Sequence, residues 1–159
     1  MRRSSSSLTF RLALVALLLA TALSFAEGVD GWRTRLTAYK SAIERGEEGI
    51  WSKMLSDIDF GVNLYAVENL PSEEVTKHRD VLLGFALKSG FKPLRTAAAR
   101  KLSGESGELL YEKSKQAVES GGKEAKNALD ALGILGTESA RTYITELMTQ
   151  VAAISPVSQ

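Results

Sequence analysis

Few residues of this chain are of the types that carry out covalent chemistry. His78 is the sole histidine of the 159 residues. It sits among Val75 and Leu82 at helical spacing, where a lone imidazole is a packed or solvated side chain rather than a base or ligand. Asp57 and Asp59 stand two apart and so point to different sides of a helix. A calcium ion there would need more oxygen ligands than the local sequence offers. Ser120-Gly-Gly-Lys123 has the Ser-x-x-Lys spacing of some acyl-transfer enzymes. Two glycines fill its middle and no companion motif follows, so it reads as a flexible turn between helices. The same stretch lacks the Gly-Lys-Ser/Thr ending of a phosphate loop. With no cysteine in the chain there is no thiolate metal site and no disulfide. The residues therefore predict a non-catalytic protein without cofactor or metal.

The N-terminus has a composition of its own. Arg2, Arg3 and Arg11 form a positive leader, Leu12 to Ala20 are apolar, and Ser24 and Ala26 are small residues before Glu27. Basic leader, short apolar core and small-x-small exit are the three parts of a cleavable secretory signal. The apolar stretch of roughly 15 residues falls short of the roughly 20 that a bilayer-spanning helix needs. Residues 1–26 are thus expected to be a signal peptide, and no stable membrane insertion is expected after cleavage. Once the leader's three arginines are gone, 17 basic residues face 19 acidic ones, a net charge of −2. So balanced a charge gives no electrostatic footprint for nucleic acid or anionic lipid. A cysteine-free exported domain fits a bacterial periplasm or medium better than a eukaryotic secretory route.

The elements that would position any site read as helices. Trp32, Leu36, Tyr39 and Ile43 form one apolar stripe, with Gly46 as a stop. Ile50, Trp51, Met54, Leu55 and Ile58 form another. Pro71, Ser72, Glu73 and Glu74 mark a helix start with Ser72 as the cap. Val81 to Leu87 is apolar nearly all round, as expected of a helix between neighbours. Ser89-Gly90, Gly104 and Ser120-Gly121-Gly122 punctuate the later segments. Domain 27–152 is expected to be helical, with 153–159 a loose tail.

Internal similarity organises these segments. Leu64, Ala66, Leu70 and Glu73 fall on Leu129, Ala131, Leu135 and Glu138, all 65 residues on. Arg95 to Ser106 lies between them, and its Gly-Glu-Ser end matches Thr137-Glu138-Ser139 at 33. Its Leu102-Ser103 matches Leu132-Gly133 at 30, which predicts a first helix one turn shorter there. A period of 32–33 is two helices and two turns, and such pairs bury their apolar faces only by stacking. Ala131-Leu-Gly-Ile-Leu-Gly-Thr-Glu-Ser-Ala140 resembles the first-helix end and turn of a HEAT repeat. Pro93-Leu-Arg-Thr-Ala-Ala98 with Leu102-Ser103 resembles that helix's start and body. The resemblance spans roughly 60–150. It implies an all-α, right-handed stack of helical hairpins, a short α-solenoid; an irregular helical bundle is the alternative.

Stacks of this family usually bind other proteins across their second helices, so the resemblance implies a protein or peptide partner. At an offset of 33 the outer face comprises Leu109, Glu112, Lys113 and Gln116 beside Arg141, Thr145 and Glu146. Trp32 and Tyr39 are the fallback contact surface. The stripe Ala140, Tyr143, Ile144, Leu147, Met148 and Val151 reads as core. An accessory subunit or an enzyme of unfamiliar type is the competing expectation, which converging carboxylates or a Ser/Lys pair in a closed pocket would favour. Mass spectrometry of the native protein should place its N-terminus at Glu27 or within two residues of it; an intact Met1 chain in a membrane fraction would contradict this.

Overall fold

The computed structural model describes residues 31–154, the last by its backbone only. The expected signal peptide and residues 155–159 lie outside the described residues. The described residues form eight helices and no strand. Two compact units divide the chain at Glu48/Gly49. Of the first, the structure describes α1 (31–44) and the turn after it. Gly46 takes a left-handed φ of 70°, and Arg45 is paired with Glu47 at 2.6 Å beside it.

The second unit opens with α2 (Ile50–Leu55) and α3 (Phe60–Asn69). Ile50, Met54 and Leu55 are buried as their spacing predicts. Ile58 is not: it lies beyond the end of α2, in the turn, and is 90% exposed. Asp59 caps α3, its Oδ1 accepting from Gly61 N at 2.7 Å. Asn63, a buried polar residue of α3, donates from Nδ2 to the carbonyls of Met54 (2.9 Å), Leu55 (3.3 Å) and Asp57 (3.1 Å). One amide thus reaches three carbonyls in and just after the last turn of α2.

Five longer helices follow: α4 (Ser72–Lys88), α5 (Lys92–Glu105), α6 (Gly107–Ser120), α7 (Ala125–Leu135) and α8 (Glu138–Ile154). Alternate helices contact one another in order, α3 on α5 and α5 on α7. The most extensive packing joins consecutive helices, α4 to α5 and α6 to α7. Burial recurs in part between these helices. Val62, Ala66, Val67 and Leu70 recur at 32 as Leu94, Ala98, Ala99 and Leu102, all buried. These recur at 33 as Asn127, Ala131, Leu132 and Leu135, of which Ala131 and Leu132 are fully buried. The central alanines remove side-chain bulk, so helix backbones approach and the leucines fill the space above and below them.

Side chains of a later helix close the ends of earlier ones. Lys101 Nζ of α5 donates to Leu70 O (2.9 Å) and Glu68 O (3.3 Å) at the end of α3. Asn127 Nδ2 of α7 donates to Leu87 O (2.8 Å), and Arg95 Nη1 of α5 to Ser89 O (2.9 Å), at the end of α4. Helix C-termini carry a partial negative charge, which suits these donors. Gly136 ends α7 in the left-handed region at φ 61°, its N–H on Leu132 O.

Three local expectations are corrected. α5 is longer than α3 and α7, not shorter. Gly104 faces open space inside it, and the break falls at Ser106, so the residue matching Leu102 is Leu135 rather than Leu132. Ser72 is the first residue of α4 rather than its cap; extended Pro71 holds the cap position, with no side-chain cap bond. α8 continues two residues past 152, to Ile154.

Leu132→Ala is expected to cost roughly 2–5 kcal/mol, since Leu132 is wholly buried. Asn63→Leu should cost about 1–3 kcal/mol by removing the buried donor that the Leu55 and Asp57 carbonyls receive. Ser114→Ala should be neutral or stabilising, because its buried hydroxyl has no hydrogen-bond partner. Urea denaturation of the three variants checks the ranking.

Candidate functional site

The residues with chemical potential are placed in structural roles. His78 Nε2 lies 3.4 Å from Glu74 Oε2, one turn back on α4. Lys77 sits at 2.6 Å from the other oxygen, and that hydrogen bond, with the neighbouring positive charges, holds the Glu74 carboxyl below its ordinary value. Asp57 Oδ1 accepts from Asp59 N at 2.9 Å, and Asp59 in turn caps α3, so both aspartates shape one turn. No group of three or more His, Cys, Asp or Glu able to hold a metal occurs among the described residues. Ser120 is the last residue of α6 and donates from Oγ to Gln116 O at 2.7 Å, one turn back.

The seven residues expected on the outer face divide into two places. Glu112, Lys113, Gln116, Arg141, Thr145 and Glu146 are exposed, and Leu109 is half-buried. Lys113 and Gln116 line a cleft of about 440 Å³ with Leu87 and Lys88 of α4, Ser120, Lys123 and Glu124. Arg141, Thr145 and Glu146 follow α8 and take no part in that cleft. α6 meets α8 through other residues: the rings of Tyr111 and Tyr143 pack edge-on at 6.5 Å, and Lys115 Nζ lies 5.6 Å from the Tyr143 ring. Burial, reinforced by Glu119, pushes the Tyr143 phenol above its ordinary value, and Lys115 opposes this. On α1, Trp32 and Tyr39 are half-buried, with the Arg33 guanidinium 4.8 Å over the Trp32 ring.

An exposed apolar surface lies on the stripe expected to be core. Along α8, Ala140 and Tyr143 are buried against Leu132, and Ile144 and Leu147 pack against that cluster only in part. Met148 is 69% exposed and Val151 64%. Ile144, Leu147, Met148, Val151 and Ala152 form the floor of an open groove of about 650 Å³. Val118 of α6 and Leu129 of α7, the latter 41% exposed, form its walls. Contiguous exposed apolar surface of this kind marks interaction sites more often than isolated exposed side chains do. The stripe's periodicity was visible in the sequence. Which half of it a neighbour covers was not, because no later helix exists among the described residues to cover the rest.

Met148→Glu should leave stability within about 0.5 kcal/mol of wild type, as at an ordinary surface position. It should also lower binding of the apolar dye ANS; an unfolded variant, or unchanged dye binding, would show that the groove is closed. Compared with known proteins, the chain matches no family model, no curated protein and no solved structure.

Proposed function

We propose that this is an exported, non-catalytic binding module, a short HEAT-like stack that docks another protein. The observation that carries the reading is the uncovered apolar half of α8, flanked by Val118 and Leu129. Binding energy in protein contacts concentrates in a few desolvated side chains, and a run of Ile144, Leu147, Met148 and Val151 offers such a centre. Around it Arg141, Thr145, Glu146 and Thr149 make a polar, mixed-charge margin, the usual composition of an interface rim. The repeat of buried residues at 32 and 33 supports the stacked arrangement. The leader supports export, with a periplasmic or extracellular location.

Affinity capture from the native envelope with the mature domain tests this. Leu147→Glu/Met148→Glu and Leu109→Glu/Arg141→Glu should be run in parallel, each verified as folded. A discrete partner lost from the first double variant is the expected result; loss from the second alone would move the site to the outer polar face. The same captured proteins with all three would contradict the proposal.

A further inference from the structure

The partner's chemistry follows from how the earlier second helices are covered. α4 is covered by α5, and α6 by α7. α8, the next in that series, has no follower among the described residues. Both covering helices bury a stripe of alanine and leucine. In α5 it runs Leu94, Ala98, Ala99 and Leu102; in α7 it runs Ala128, Ala131 and Leu132, with Leu135 partly buried. Each stripe holds two alanines and ends on a leucine, Leu102 or Leu135. The groove on α8 continues the α6–α7 interface directly, since Val118 and Leu129 belong to those two helices.

Resting on the reading above, we propose that the groove receives an amphipathic helix of another protein, whose apolar face repeats the Ala-x-x-Ala-Leu-x-x-Leu spacing of α7. None of the seven lining residues is charged, so the docked face must be uncharged as well. A lipid surface would call for a basic margin, whereas α8 carries Arg141 against Glu138 and Glu146. A second copy of the chain is disfavoured by size: seven side chains fall well short of the roughly 800 Å² per partner of a standard stable interface. A single helix laid into a groove needs only anchors at successive turns, which Ile144, Leu147, Met148 and Val151 receive.

The probe is a fluorescein-labelled peptide of residues 123–136, the α7 sequence. A lactam joins Lys126 to Asp130, which lie four apart and are both exposed in α7, because an unconstrained helix this short is marginal in water. Titrated with the mature full chain, it should bind saturably in the micromolar range. Affinity should fall at least tenfold with Met148→Glu protein or with Leu132→Asp peptide, and stay unchanged with Lys113→Glu protein. Absence of saturable binding, or equal binding by Met148→Glu protein of wild-type stability, overturns the proposal. So does a concentration-dependent dimer that Met148→Glu abolishes, which makes a second copy the occupant. If the peptide fails while capture of a native protein still depends on Met148, the helix chemistry falls and the binding-module reading stands. If both fail, the reading falls with it.

Discussion

A helix with one apolar face cannot bury that face alone, and the second unit of this protein is arranged around that constraint. α5 lies on α3 and α7 on α5, while α5 also covers α4 and α7 covers α6. The arrangement depends on alanine at the closest approaches. Ala66, Ala98 and Ala131 are all essentially inaccessible to solvent, and a larger residue at any of them would force helices apart in a core packed at crystal-like density. Gly107 does the same at one edge, where an added Cβ would stand 3.2 Å from Leu135 Cδ1.

The polar contacts obey the same layering. Asn63, Lys101, Arg95 and Asn127 each reach back to carbonyls at the end of an earlier helix. Buried carbonyls left unpaired are costly, so each added layer closes the backbone of one before it as well as its apolar face. At α8 the series stops. Its inner half is held by Leu132 and the Tyr111–Tyr143 ring contact, and its outer half meets water. An exposed apolar face is a liability for a solitary domain; it is useful to a domain whose last layer comes from elsewhere.

Much of this was legible in the residues. The Ala–Leu recurrence at 65 residues falls on two helices, α3 and α7, whose matched alanines Ala66 and Ala131 are both buried. The helix between them was read one turn short, because Gly104 looks like a stop and only the capping geometry at Ser106 shows that it is not. Ser72 looks like a cap, but Pro71 already sets the entry. The groove was the hardest to read. Ile144, Leu147, Met148 and Val151 have the spacing of core residues, and hydrophobic periodicity reports that a face is apolar without reporting what lies against it. Val118 and Leu129 gave no separate signal, since their joining of that face depends on how three helices cross.

The central claim is that α8 leaves its outer apolar face open, and the methionines test it most directly. Met54 is completely buried and Met148 is 69% exposed. Thioether oxidation by hydrogen peroxide follows accessibility, so peptide mass spectrometry of the native mature protein gives the rate at each. The account predicts that Met148 oxidises at nearly the rate of the unfolded chain while Met54 stays protected until global unfolding. Protection of Met148 equal to that of Met54 in the isolated protein would contradict it.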